Sequence, residues 1–187
     1  EKAGYVAVER EVKDKTVGRL LVELTEKREA WVLPLGISVT GEPVFSGARL
    51  VVAGGRRLYA LDVLRRKLDW SEPLEGAVEG SPRVAFGRVY ACTSDGSVLS
   101  IDPDRASQRV MWRIAAGGRV GGTPGVSPDG RLLYYGPSAR VLHVVDARNG
   151  DPVWTRELPG EMRREPVFRD GAAIVACVIG VVGMGLY

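Results

Sequence analysis

One histidine and two cysteines in 187 residues leave little for a metal site of Cys and His ligands or for a disulfide-stapled scaffold. Asparagine is equally scarce. Asn149 is the only one and sits in a turn sequence, so a calcium site built from carboxylate and amide oxygens has little to draw on. The long uncharged stretch 172–187 has 16 residues, short of the roughly 18–20 apolar residues that a spanning helix requires. Charge of one sign is missing too. There are 26 Lys and Arg against 23 Asp and Glu, a net +3, and the 21 Arg and 5 Lys are interspersed with acids. A basic stripe of the kind that grips nucleic acid is therefore excluded. Glu1-Lys2-Ala3-Gly4 has no initiating Met, basic n-region or apolar h-region, which reads as a mature form, an expression form or a fragment.

What is present is enough for a folded domain. The hydrophobic content of 45% and charged content of 26% exclude disorder as the main state and supply a sizeable core. Against that background the four tryptophans keep time. Trp31, Trp70, Trp112 and Trp154 are 39, 42 and 42 residues apart, and Pro43, Pro82, Pro124 and Pro166 repeat the same spacings. Glu42-Pro43-Val44-Phe45 recurs as Glu165-Pro166-Val167-Phe168, and Gly47, Gly87, Gly130 and Gly171 follow the prolines at nearly constant offsets. A period of about 40 residues identifies a repeat protein.

Each repeat reads as four short strands. In the second, 82–86, 88–93, 98–101 and 110–114 are apolar and β-prone, and Ser94-Asp95-Gly96-Ser97 is expected to be a type I′ hairpin turn. Asp129-Gly130 and Asn149-Gly150 mark turns of the third repeat. No window has helical periodicity with start and stop caps. Four strands at this period specify an all-β fold, a β-propeller of four-stranded blades packed face to face. Runs such as Leu50-Val51-Val52-Ala53 and Leu132-Leu133-Tyr134-Tyr135 suit inner strands covered on both faces.

Ala60-Leu61-Asp62-Val63-Leu64-Arg65-Arg66-Lys67-Leu68-Asp69-Trp70 resembles the repeat signature of pyrroloquinoline-quinone-like propellers, approximately Ala-Leu-Asp-Ala-x-Thr-Gly-Lys-x-x-Trp. The segment from Val144-Val145-Asp146 to Trp154 fits it as well. Ser100-Ile101-Asp102 through Trp112 fits with two extra turn residues, and Leu21-Val22-Glu23 through Trp31 is a degraded copy. The resemblance runs from about residue 20 to the end. It implies that Trp31, Trp70, Trp112 and Trp154 dock between neighbouring blades while Asp62, Asp102 and Asp146 fix the outer turns. It also implies a bacterial protein exported to the periplasm or cell envelope.

The propeller is read as one domain over 1–187. Its parts are N-terminal strands of a partial blade at 1–35, complete blades at 40–75, 79–116 and 120–158, and a partial blade at 163–187. In the last, Tyr187 aligns with Tyr59, Leu99 and His143. Two closures stay open. Residues 21–35 could complete the C-terminal blade and make a closed four-blade ring; otherwise the chain is part of a seven- or eight-blade ring. The strand-like residues 5–12 duplicate one already supplied near 174–178, and four-blade rings are uncommon in the resembling family, which favours part of a larger ring.

No catalytic constellation stands out. Cys92 and Cys177 lie about two repeats apart on equivalent strands, which disfavours a disulfide. His143 is flanked by apolar residues with no nucleophile in a known pattern. Gly117-Gly118 and Gly121-Gly122 precede no phosphate-loop lysine and read as an inter-blade connection. Arg65, Arg66, Lys67, Arg163 and Arg164 are the candidate partner-binding rim, since turns at blade edges recruit partners. The expected function is a non-enzymatic scaffold without cofactor, similar to the scaffold lipoprotein of the outer-membrane β-barrel assembly machinery. Its partners are other proteins of an envelope complex, with a homodimer or completion by another segment as further possibilities. A fragment of a quinoprotein dehydrogenase and the sensor domain of a membrane receptor or kinase are the alternatives.

Overall fold

The computed structural model describes residues 5–8, 23–26 and 32–185, apart from 121, 137–139, 163 and 179. Contacts divide the chain into two compact units, Glu1–Pro34 and Leu35–Tyr187. In the first, β1 (Tyr5–Val8) and β2 (Glu23–Glu26) pair antiparallel with Tyr5 opposite Glu26.

The second unit is a succession of up-and-down sheets. β3 (Thr40–Ser46), β4 (Arg49–Gly54), β5 (Arg57–Asp62) and β6 (Lys67–Pro73) form sheet one. Sheet two is β7 (Val78–Ala85), β8 (Arg88–Thr93), β9 (Ser97–Ile101) and β10 (Val110–Ala115). Sheet three is β11 (Gly125–Val126), β12 (Leu132–Tyr135), β13 (Val141–Asp146) and β14 (Pro152–Glu157). Sheet four has three described strands, β15 (Val167–Arg169), β16 (Ala172–Cys177) and β17 (Gly180–Gly185). The described residues contain no helix. The architecture is that of a partial propeller of about four blades.

Each pair of neighbouring sheets encloses its own core. Val51, Ala60 and Trp70 of sheet one meet Val89, Ala91 and Ile101 of sheet two. Tyr90 and Val98 meet Leu133, Tyr135 and Val145 of sheet three, and Tyr134 and Val144 meet Ala173 and Val175 of sheet four. Sheet two is therefore covered on both faces, and all five residues of β9 are buried. A strand in that position has no solvent side, which explains why its sequence does not alternate.

Three details differ from the sequence expectation. The positive φ in the 94–97 hairpin lies at Gly96 (82°), whose N–H donates to the Thr93 carbonyl at 2.9 Å. Ser94 and Asp95 are then the central residues of a type I turn followed by a left-handed glycine, not a type I′ turn. Gly130 (φ 71°), with its N–H on the Ser127 carbonyl at 2.8 Å, repeats the arrangement. Second, sheet four extends further than the alignment of Tyr187 allowed. Val182 lies opposite Val175 as Tyr59 lies opposite Val52, so β17 is a full third strand. The short β16–β17 connection accounts for the shift. Third, a register irregularity recurs beside each described tryptophan: Asp69, Met111 and Val153 are extra residues, with Trp70 opposite Ala60, Trp112 opposite Ser100 and Trp154 opposite Val144. A bulge at this point re-aims the ring, and no residue type announces it in the sequence.

Candidate functional site

The Pro-led segments gather at the centre. β3 and β7 are neighbours there, the Glu42 N–H donates to Ser81 Oγ at 2.7 Å, and the Ser81 N–H donates to Thr123 Oγ1 at 2.9 Å. The residues before Pro43, Pro82 and Pro124 thus link the first three sheets. The close approach needs glycine at Gly80, where φ is 69° and a Cβ would lie 2.6 Å from the Gly122 carbonyl carbon. These strands line an opening of about 630 Å³, with Glu42, Ser81, Arg83, Thr123, Arg164 and Glu165 on its wall. Arg83 donates to Glu165, and burial pushes its guanidinium below the ordinary value.

The opening is a polar frame in which a carboxylate is already paired. With Arg83 on Glu165 and Arg164 on the same wall, the donor set does not suit a divalent cation. Among the described residues no three His, Cys, Asp or Glu side chains converge to hold a metal ion. Among the described residues of its wall no nucleophile is paired with a base either. His143 stacks on Tyr135 with centroids 5.1 Å apart, and burial lowers its pKa.

The outer turns hold the aspartates singled out in the repeat. Asp62 Oδ1 accepts the Arg65 N–H at 2.8 Å, and this bond leads in holding its carboxyl below the usual range. Asp146 Oδ1 accepts the Arg148 N–H at 2.8 Å, and its pKa is lowered chiefly by the Arg148 side chain. Asp102 Oδ1 accepts the Asp104 N–H at 3.1 Å. Each is an Asx-type turn. The tryptophans reach across to the following sheet. Trp70 is buried in the first core beneath the Arg109 guanidinium, 5.0 Å from the ring centroid. Trp112 Nε1 donates to the Ala147 carbonyl at 3.2 Å, and Trp154, edge-on to Tyr134 of its own sheet at 6.1 Å, packs on the core shared with sheet four. Trp31 lies outside the described residues.

The four described residues of the candidate basic rim lie in two places. Arg65 and Arg66 occupy the β5–β6 turn and Lys67 opens β6, at the edge where β3 and β5 end. Arg164 lines the central opening, where β15 is about to begin, and Arg163 lies outside the described residues. Strand alternation puts these at opposite blade edges. What sequence reasoning missed is Phe86, which follows β7 with φ 50° and is 68% exposed. Its ring lies over Gly130 in the equivalent turn of sheet three, where a Cβ would collide with it. An aromatic directly before Gly87, at a turn position, was the available signal.

Cys92 and Cys177 are both free. Cys92 is fully buried and its thiol is pushed up to about 12 by desolvation, whereas Cys177 is partly exposed. Ellman's reagent at pH 8 is expected to titrate one thiol rapidly in the native chain and the second only on unfolding, since thiolate is the reactive form. Two equally fast thiols would contradict this burial.

The family model of outer membrane protein assembly factor BamB matches residues 13–109 and 102–178. BamB from Moraxella catarrhalis superposes with a TM-score of 0.70 at 23% identity, over 82% of this chain and 48% of that one. The chain thus spans about half the length of that protein. Quinohemoprotein alcohol dehydrogenase from Pseudomonas putida gives 0.63 at 16% identity, over 78% and 29%. The computationally designed Ika4 protein gives 0.66 at 14%, over 86% and 99%. At these identities the structural likeness shows the fold. No curated protein matches. No helix among the described residues is long and apolar enough to cross a membrane.

Proposed function

The chain belongs to the BamB family of pyrroloquinoline-quinone-like propellers, and from that premise we propose that it is a non-enzymatic scaffold that presents blade-edge turns to partner proteins in the bacterial cell envelope. The observation that carries this is Phe86. A bulky side chain in the left-handed region costs about 1–2 kcal/mol, yet the ring it holds is mostly in solvent. Leu64, 85% exposed in the β5–β6 turn, lies on the same blade edge with Arg65, Arg66 and Lys67 beside it. Apolar anchors within a charged surround are the pattern of a protein-binding edge. The tryptophans and Asp62, Asp102 and Asp146 serve in this reading as the frame that holds the turns. Location in the periplasm is part of the proposal and rests on the family.

The test is to crosslink the chain in envelope preparations, then repeat with Phe86→Asp and Leu64→Asp together, and separately with Arg65→Ala and Arg66→Ala. Loss of partner capture with an unchanged circular dichroism spectrum is expected for the first pair. Retention of every partner by both variants overturns the scaffold role. The second reading, part of a quinoprotein dehydrogenase, draws on the fold shared with the Pseudomonas putida enzyme. Dye reduction after incubation with the quinone and calcium would replace the scaffold by that reading.

A further inference from the structure

The first residues of β4 and β8 are both arginines, Arg49 and Arg88. Arg49 is clamped by two carboxylates. Its Nε donates to Asp69, the bulge residue before Trp70, and its Nη1 donates to Asp104 in the outer turn of sheet two at 2.6 Å. Arg88 shares its face of β8 with Tyr90, two residues on, whose hydroxyl donates to the Ala147 carbonyl in the outer turn of sheet three at 3.0 Å. It therefore stands towards sheet three as Arg49 stands towards sheet two.

The two places that hold carboxylates beside Arg49 are filled differently beside Arg88. The bulge residue before Trp112 is Met111. In the outer turn, Asp146 accepts the Arg148 N–H as Asp102 accepts the Asp104 N–H, so Arg148 takes the place of Asp104. The Arg148 guanidinium turns back on Asp146 at 3.0 Å, with its side chain 78% exposed. Arg88 is left without either carboxylate, and its Nη1 is buried with no hydrogen-bond partner among the described residues. A desolvated cation without a partner is costly, and an anion that reaches it removes that cost. Sheets two and three are each flanked by a further sheet, so this gap is internal to the described repeat.

We propose that Arg88 receives the carboxylate of an aspartate or glutamate side chain of a partner polypeptide, inserted between the outer turns of sheets two and three beside the Phe86 ring. The matched place at Arg49 identifies the occupant, because there a neighbouring loop delivers Asp104 to the same guanidinium position. Arg presents two N–H groups in one plane, which suits a carboxylate. Phe86, two residues ahead in the same turn and 68% exposed, seats an apolar neighbour of the inserted acid. Asp129, in the turn beneath that ring, is already engaged: its Oδ1 accepts the Ser127 hydroxyl at 2.6 Å and the Arg131 N–H at 3.1 Å. The inference deepens the scaffold reading and rests on it for the source of the carboxylate.

The test is an NMR titration of the isotope-labelled chain with the acetylated, amidated peptide Gly-Leu-Glu-Leu-Gly. Saturable shifts of the Arg88 Nε–Hε signal and of the amides around Phe86 and Ala147 are expected. Glutamine in place of the peptide's glutamate should weaken binding by at least about tenfold. Arg88→Met keeps the apolar stem and removes the unpaired cation, so it should abolish the amide shifts and leave the urea midpoint equal or higher. Met111→Asp rebuilds the arrangement of sheet one and should block the peptide. Its urea midpoint should exceed that of Met111→Asn, and the excess should vanish once Arg88→Met is added. Absence of saturable shifts overturns the proposal, as does equal binding of the glutamine peptide. A midpoint lowered by Arg88→Met would make the guanidinium a tie between sheets and overturn it, and tighter binding of inorganic phosphate than of the peptide would do so by assigning the site to another anion. Peptide binding through Arg88 with every partner retained by both crosslinking variants would remove the scaffold reading and leave the carboxylate site; partner loss there without peptide binding would do the reverse.

Discussion

Replacing Trp70 with alanine is expected to lower the free energy of unfolding by about 3–5 kcal/mol, a large share of what a domain of this size possesses. The indole is 6% exposed and bridges two sheets, touching the cluster of Val51 and Ala60 on one side and of Val89 and Ala91 on the other. Its Nε1 has no hydrogen-bond partner among the described residues, so its contribution comes from packing and from the Arg109 guanidinium over the ring. Truncation leaves a cavity between sheets that cannot collapse without moving a blade, and it strips Arg109 of its platform. Trp70→Phe should recover about half of the loss, because a ring still fills most of the space. Trp112→Ala and Trp154→Ala should each cost less, since both rings are only partly buried. The ordering is read from urea unfolding with the slope compared among variants. A loss below about 1 kcal/mol at Trp70, or equal losses at all three, contradicts the packing described.

The same residues show how far the sequence carries. Spacing of Trp70, Trp112 and Trp154 locates the outer strands because one large ring per repeat is needed to fill each inter-sheet core. It does not disclose the bulge at Asp69, Met111 and Val153, which depends on how the strand must kink to aim the ring. The prolines at 43, 82, 124 and 166 locate the first strand of each sheet but not its start: Pro43 and Pro82 lie inside β3 and β7, and only Pro124 and Pro166 stand just ahead of a strand. That Glu42, Ser81, Thr123 and Glu165 before them line one opening is not legible, because periodicity reports which positions are equivalent and is silent on which side faces the axis. Arg164 and Arg65 share charge and a place in a connection between strands, and alternation of strand direction separates them. Phe86 is silent in the sequence because a turn aromatic resembles its neighbours until its backbone conformation is known. Asp95-Gly96 locates the hairpin but not its type, since Asp-Gly serves both turn geometries and the φ of Gly96 with its hydrogen bond to Thr93 distinguishes them.

Gly80→Ala should cost about 3 kcal/mol or more, while Gly47→Ala should cost only about 1 kcal/mol. Both glycines have a left-handed backbone, with φ 69° and 59°, so both substitutions carry the same conformational penalty. They differ in what the methyl meets. At Gly47 nothing lies within 4 Å, whereas at Gly80 the Gly122 carbonyl carbon and the Thr123 nitrogen are 2.6 and 2.7 Å away. Those atoms are backbone and cannot rotate aside. Relief requires the inner strands of sheets two and three to part, which also breaks the Ser81 N–H to Thr123 Oγ1 bond. The difference between the two variants, measured by urea unfolding, therefore isolates the rigidity of the inner frame from the cost of the φ angle. Equal losses would mean that the inner strands yield, and the opening lined by Arg83, Arg164 and Glu165 would then be a deformable gap rather than a fixed frame.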